Sequence, residues 1–359
     1  MSEPRRGRAG RWRRRLTRLV VLLVALVVAV YTVELVLRSF DLFGVNHGAN
    51  TLRYRTEALR PTWFAPDGSR DLDGTLYRHK PNTTTDFGRF KIESNALGFR
   101  GPPVAVAKPA RTFRIVVLGD SVTLGWGIDD EFTFCRRIER TLAARNDGWR
   151  YEVINTGHLA YDSTQEAALF EREALLLEPD LVLLVYVTND VVEPTYLLVQ
   201  ALLDGAGVGG QAPTWCERLV HRGEQFLPAS TALLRNVASR LDAGGVPTGA
   251  DGQVLTPDAS PIWADGWARS QRALRRVRDL CRERSLPFLV LDHTLPRMPV
   301  LAEFCRAESI PRHDFWFTQD ELAKPIYNSM IDTHANALGN ELLANKALRI
   351  LDEARVLPR

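Results

Sequence analysis

The stretch Phe113-Arg114-Ile115-Val116-Val117-Leu118-Gly119-Asp120-Ser121 decides how the rest of the chain is read. Its first six residues have the apolar, β-branched composition of a buried strand. Gly-Asp-Ser closes that strand. The helical pattern that follows puts the Ser121 hydroxyl at a helix N-terminus, where free N–H groups favour a developing anion. Asp and Ser are also ordinary N-caps after a strand, so the tripeptide alone does not separate a nucleophile from a cap.

Three later segments complete a set. Asn155-Thr156-Gly157 follows the strand-like Tyr151 to Ile154, and Thr188-Asn189-Asp190 follows the apolar run Leu181 to Val187. Near the C-terminus stands Asp332-Thr333-His334-Ala335-Asn336-Ala337-Leu338-Gly339. With these four blocks in this order, over about residues 90 to 355, the chain resembles the SGNH (GDSL-type) hydrolases, whose name lists Ser, Gly, Asn and His. It departs from the family pattern in three places. Val122 replaces the Leu of Gly-Asp-Ser-Leu, and Val187 stands where Gly usually precedes the Asn by two residues. Asp332 and His334 are separated by one residue rather than two. The resemblance also covers Ser94-Asn95-Ala96-Leu97-Gly98-Phe99-Arg100-Gly101, which is similar to an entry segment of membrane-anchored members.

The same residues can be read from chemistry. Acyl transfer needs a nucleophile, a base, a group that orients the base, and donors for the oxyanion of the tetrahedral intermediate. Ser121, His334 and Asp332 fill the first three roles. Backbone N–H groups of Ser121 and Gly157 and the side-chain amide of Asn189 are the candidate oxyanion donors. Asp120, Trp126, His158 and Asp190 adjoin these blocks and are candidate substrate contacts. His293 follows Asp292 at a strand end and competes with His334 as the base, but adjacent strand residues point to opposite faces, so Asp292 is poorly placed to orient it. Arg100 is read as a partner for a substrate carboxylate or, in preference, as a structural ion pair. Neither His-Glu-x-x-His nor Cys-x-x-Cys occurs, so no metal or other cofactor is expected.

The N-terminus gives a location. Eight arginines within residues 1 to 18 precede the apolar run Leu19 to Leu37, which with Leu16 approaches the roughly 20 residues of a membrane-spanning helix. A positive flank stays in the cytoplasm. The run is longer than the 7 to 15 residues of a signal-peptide core and lacks an Ala-x-Ala exit, which favours an uncleaved anchor with the remainder outside the cytoplasm. The chain has 46 Lys+Arg and 43 Asp+Glu. Removing the eight Arg and one Glu of the tail leaves 38 basic and 42 acidic residues, a net of −4, so nucleic acid is not an expected partner. Four cysteines, Cys135, Cys216, Cys281 and Cys305, form no recognisable framework. Cys135 and Cys281 fall in amphipathic helical patterns as buried thiols, and a bridge, if one forms, would involve Cys216 or Cys305.

The organisation follows: a basic cytoplasmic tail (1–15), a transmembrane anchor (16–37), an entry segment (38–111) and a catalytic domain (112–359). Within the entry segment, Leu76-Tyr77 and Phe90-Lys91-Ile92 suggest a hairpin-like cover. In the catalytic domain strands alternate with helices, among them one bearing Phe134, Ile138 and Leu142, one opened by a capping box Ser163 to Glu166, and a last one with Leu338, Leu342 and Leu343 on one side. Continuous apolar strands in such alternation imply a parallel sheet covered on both faces, hence a flavodoxin-like three-layer α/β/α sandwich with its fourth strand near Phe288. The Gly-rich interval 195–263 exceeds a normal crossover and reads as a lid or a surface insertion. Trp215 in it is a further aromatic candidate for the pocket. The functional reading is a membrane-anchored serine esterase that removes short acyl groups from a small molecule, glycan or envelope polymer. The alternatives are a polysaccharide O-acyltransferase with the same site and a non-catalytic carbohydrate-binding protein.

Overall fold

The computed structural model describes residues 6–62, 74–191, 227–231, 233–234, 261–295 and 297–358. Over these residues the chain forms two units. One holds the N-terminal segment to Ala49 with pieces of 211–245 and 329–331, and the other holds the remainder.

In the first unit, helix α1 (Arg6–Ser39) carries the apolar run; the portion Trp12–Ser39 is long and apolar enough to cross a membrane. Its apolar side chains from Leu16 to Val33 are largely exposed. Toward its end Leu37 packs with Val45, Ala229, Leu233 and Ile331. Glu34, buried there, accepts from the Ala229 and Ser230 N–H groups at 2.8 and 2.9 Å and from the Ser230 hydroxyl at 2.8 Å. A carboxylate interrupting the apolar run thus has donors for both oxygens.

The second unit opens with helix α2 (His47–Arg53), whose first residues belong to the first unit. Two short antiparallel pairs follow. Strand β1 (Leu59–Pro61) pairs with β2 (Tyr77–His79), and β3 (Thr84–Asp86) pairs with β4 (Lys91–Glu93). The expected cover therefore exists as two pairings rather than one: Tyr77 belongs to the first and Ile92 to the second, because the turn Phe87 to Phe90 closes β3 on β4 alone. Tyr54, Phe87, Phe90, Ile92, Trp126 and Leu159 form the apolar contact beneath it.

The main sheet is built from β5 (Thr112–Gly119), β6 (Arg150–Asn155), β7 (Leu181–Tyr186), β8 (Phe288–Asp292) and β9 (Arg312–Asp314), all parallel, in the order β6-β5-β7-β8-β9. This is the flavodoxin-like order, and the fourth strand lies at Phe288 as the sequence indicates. Alternate residues feed two cores. Val116, Leu118, Val182, Leu184 and Val290 face helices α5 (Ser163–Arg172), α6 (Pro261–Glu283) and α7 (Pro299–Ala307). Ile115, Val117, Leu183, Val185 and Leu289 face α4 (Phe134–Ala143) and α9 (Ala337–Ala354). Two very short helices, α3 (Ser121–Leu124) and α8 (Gln319–Leu322), lie in the connections at the carboxyl ends of the strands.

Several local readings shift. The capping box of α5 is Asp162 with Gln165, one residue before the predicted one, since the Asp162 carboxylate takes both the Thr164 and Gln165 N–H groups. In α9 the buried stripe is Leu343, Ala347, Ile350 and Leu351, whereas Leu338 is exposed in the first turn. Cys135, Cys281 and Cys305 are buried free thiols, which removes Cys305 from any bridge. Cys216, Trp215 and nearly all of the interval 195–263 lie outside the described residues.

Candidate active site

The sheet order reverses between β5 and β7, which makes the gap beyond their carboxyl ends the place where an open parallel sheet binds a ligand. Ser121 leaves β5 at that gap. Gly119 ahead of it has no room for a side chain, because a Cβ there would lie 2.1 Å from Thr123 Oγ1. The chain can therefore turn tightly from strand into α3. Asp120 caps that turn: its Oδ1 accepts the Val122 N–H at 2.9 Å, and its Oδ2, 3.0 Å from Ser121 Oγ, is an alternative acceptor to His334 for the single hydroxyl proton.

His334 reaches the same hydroxyl from the loop before α9. Its Nε2 lies 2.9 Å from Ser121 Oγ, and its Nδ1 lies 2.7 Å from Asp332 Oδ1. A carboxylate only accepts. The proton of a neutral His334 ring therefore sits on Nδ1, and Nε2 presents a lone pair to the serine. The shortened Asp332-x-His334 spacing works because Asp332 Oδ1 also accepts the His334 backbone N–H at 3.2 Å, a local turn that folds the carboxylate back under the ring.

Around the serine, the donors for an oxyanion are partly committed. Asn189 follows β7 and donates one Nδ2–H to Asp120 Oδ2 at 2.8 Å, which leaves its second N–H. The Ser121 N–H has no acceptor among the described residues. The Gly157 N–H, expected to join them, donates instead to Asn155 Oδ1 at 3.0 Å. Glycine is needed at 157 for packing: a Cβ would lie 2.2 Å from the Leu124 nitrogen. Three residues later Ala160 takes a left-handed conformation, φ 64°, and its N–H has no acceptor among the described residues.

A hydroxyl, an imidazole and a carboxylate in hydrogen-bonded series at a strand-to-helix turn are an arrangement that can carry out acyl transfer. A model of the GDSL-like lipase/acylhydrolase family matches residues 117–342, more than half of the chain. The protein belongs to this family. It is an ester-hydrolysing enzyme. No curated protein matches it in sequence. Among solved structures it is similar to a lipase/acylhydrolase from Enterococcus faecalis, at 14% identity and a TM-score of 0.38, over 69% of this chain and 98% of that one. It is also similar to the acetyl xylan esterase AlAXEase, at 17% identity and a TM-score of 0.28, over 67% and 100% of the two chains. A two-domain esterase active on acetylated mannans gives 14% identity and a TM-score of 0.36, over 69% of this chain and 50% of that one.

This family member has a cavity of about 140 Å³ beside His334, lined by Val122, His293, Leu295, Trp316, Phe317, Leu322 and Tyr327, with Thr333 and Ala335 at its edge. Its walls are mostly hydrocarbon and aromatic carbon. His293 is thus a wall of this cavity, and the sequence signal for it was its place after β8. Its Nδ1 lies 2.9 Å from the Phe315 carbonyl, and burial lowers its pKa. Asp292 does not orient it: that carboxylate accepts from Thr294 and Arg312.

The other candidate substrate contacts lie elsewhere. His158 is fully buried. Its ring stacks between His79 and Tyr161, with centroids 4.0 and 4.4 Å away. Its Nε2 accepts from Arg78 at 3.0 Å and its Nδ1–H donates to the Thr156 carbonyl at 2.8 Å. Asp190 is buried behind the site, where its two oxygens take the Ser163 hydroxyl and the Val187 N–H, both at 2.7 Å. Trp126 is buried among Tyr54, Phe87 and Phe90, and its ring centroid is 6.5 Å from that of His334. Of these four, Asp120 alone has a side chain hydrogen-bonded to the serine, while Trp126 donates its backbone N–H to the Ser121 carbonyl at 3.1 Å. Arg100 faces no ligand, since its buried guanidinium donates to the Leu124, Gly125 and Ile128 carbonyls.

Proposed function

We propose that the protein is a membrane-anchored serine esterase acting outside the cytoplasm, which removes short acyl groups from a glycan or envelope polymer through an acyl-enzyme. The observation that carries this reading is the continuous path from Ser121 Oγ to His334 Nε2 at 2.9 Å and from His334 Nδ1 to Asp332 Oδ1 at 2.7 Å. Ser121 Oγ attacks the ester carbonyl as His334 Nε2 takes its proton. The oxyanion gathers on the Ser121 N–H and the free N–H of Asn189. His334 then returns the proton to the departing alcohol, leaving Ser121 acylated. Water repeats the sequence: His334 deprotonates it, it adds to the acyl carbonyl, and Ser121 leaves with the proton. Asp332 stays ionised and stabilises the imidazolium. The apolar cavity beside His334 suits the acyl chain, and the arginine-flanked helix α1 supports an anchor of residues 16–37 behind a catalytic domain of 112–359.

The test uses the full-length protein with nitrophenyl esters and a fluorophosphonate probe. Ser121→Ala and His334→Ala are each expected to lower hydrolysis by roughly 10³ to 10⁶, and the double variant to be scarcely worse than either single one, because nucleophile and base act as a unit. The probe is expected to label the wild type and not Ser121→Ala. A folded Ser121→Ala protein with wild-type hydrolysis would overturn the reading. Products formed with added glycan acceptors separate transfer to water from transfer to a sugar hydroxyl.

A further inference from the structure

Asn328 lies in no block of the sequence, yet its side chain sits against the carboxylate that orients His334. Its Nδ2 donates to Asp332 Oδ2 at 3.2 Å and to the Trp126 carbonyl at 2.9 Å. Both partners are acceptors only, which fixes the orientation of the amide: nitrogen toward them, oxygen away. The Asn328 backbone N–H also donates to the His334 carbonyl at 2.9 Å, and the neighbouring pair Tyr327 and Ala335 forms an antiparallel bridge. One residue is therefore tied to the acid, to the base and to the turn that follows the nucleophile.

The turn is shaped to admit it. Gly127 adopts φ +88°, a conformation that favours glycine, and a Cβ there would lie 2.0 Å from Asn328 Nδ2. The space that glycine leaves is the space the amide occupies. Of the Asp332 oxygens, Oδ1 serves His334 twice, through Nδ1 and the backbone N–H; Oδ2 is the one that Asn328 holds.

We propose that Asn328 is a positioning residue of the Ser121–His334–Asp332 relay, which locks the Asp332 carboxylate in plane with the imidazole and anchors it to the Trp126 turn. The inference rests on the serine-esterase reading. With the shortened Asp332-x-His334 spacing, the carboxylate is carried on a two-residue turn, and a second attachment at Oδ2 keeps it from rotating away when the imidazolium forms.

The experiment compares wild type, Asn328→Leu, Asn328→Ser and Asn328→Asp as full-length proteins in detergent, with kcat and KM for a nitrophenyl ester measured from pH 5 to 9 beside thermal unfolding. Asn328→Leu is expected to lose about tenfold in kcat with KM within twofold, the scale of one hydrogen bond to a charged group. Asn328→Ser, which keeps a donor, is expected to recover part of the loss. Asn328→Asp places a second carboxylate near the relay, so the acidic limb of kcat/KM should move to higher pH as the added negative charge favours imidazolium. A fall in stability with kcat and the acidic limb unchanged would make Asn328 merely structural and overturn the proposal. Should Asn328→Leu and Asn328→Asp fail to fold, Asn328→Ser decides: an unchanged low-field proton resonance of His334 Nδ1–H with wild-type kcat overturns it. If the wild type hydrolyses no ester, the esterase reading fails instead.

Discussion

Asn189 gives one N–H of its side-chain amide to Asp120 Oδ2 at 2.8 Å, the oxygen that also lies 3.0 Å from Ser121 Oγ. The carboxylate so fixes which end of the amide faces the nucleophile, and the second N–H is set before any substrate arrives. Asn189→Ala is expected to lower kcat by about 10² to 10³ with KM little changed, as for loss of a donor used most strongly in the transition state. Asp120→Ala is expected to lower kcat as well, by freeing that amide, and to weaken the turn into α3 by about 1 kcal/mol through the lost cap. Steady-state kinetics and denaturant titration separate the two effects; a change confined to KM would move Asn189 to substrate binding.

These relationships mark how far the sequence could be read. Strand ends were legible because a parallel strand buried on both faces must be continuously apolar, so the block that interrupts each run stands at the sheet edge. That logic places Ser121, Gly157 and Asn189 at one end of the sheet, whereas His334, in the loop before α9, follows no apolar strand. It does not say where a backbone N–H goes. Gly157 reads as an oxyanion donor, yet its hydrogen bond is decided by the side chain of Asn155, and its lack of a Cβ is required by α3. His158 reads as a pocket residue, yet Arg78 and His79 from β2, about 80 positions earlier, enclose it. Asn328 carried no signal at all, because its partners Trp126 and Asp332 meet only once the loop before α9 is folded.

The buried pair His79 and His158 makes stability depend on pH. His79 Nε2 lies 2.6 Å from the Tyr54 hydroxyl and its Nδ1 lies 3.2 Å from the Gly98 carbonyl. Burial, helped by the nearby Arg78 charge, lowers its pKa to about 3, and burial likewise holds His158 well below the ordinary value. A folded-state pKa below the unfolded one means stability that is complete above about pH 6.5 and lost as the pH falls toward the folded value. At pH 5 His79 should have cost about 2 kcal/mol relative to pH 7.5. Glu166 and Asp190, whose pKa values burial raises, work in the opposite sense, so the comparison is made against His79→Gln. The stability advantage of wild type over that variant is expected to shrink by about 2 kcal/mol between pH 7.5 and 5; an advantage independent of pH would show that His79 takes up a proton as readily in the fold as in the unfolded chain.

The arginine flank and the length of α1 predict an anchor that is kept. A C-terminal reporter active only outside the cytoplasm should be active, and the mature protein should sediment with membranes and retain residues 1 to 37. Recovery of a soluble form beginning near residue 38 would make the segment a signal peptide.

The cavity beside His334 makes a prediction about the acyl group. Its walls include Leu295, Phe317, Leu322 and Tyr327, side chains that offer an acyl chain hydrocarbon contact and little to a sugar hydroxyl. Each methylene transferred from water to such a wall is worth about 0.8 kcal/mol, close to a fourfold gain in kcat/KM when the contact persists in the transition state. Rates for acetyl, propionyl and butyryl nitrophenyl esters should therefore rise in that order and then level once the cavity is filled. Leu322 is half-buried on α8 at the cavity wall, where a larger side chain takes up cavity space. Leu322→Trp should flatten the series, leaving acetyl hydrolysis near wild type while butyryl falls by about tenfold. If the variant slows every ester equally, the wall at Leu322 supports the position of His334 and the acyl chain lies elsewhere.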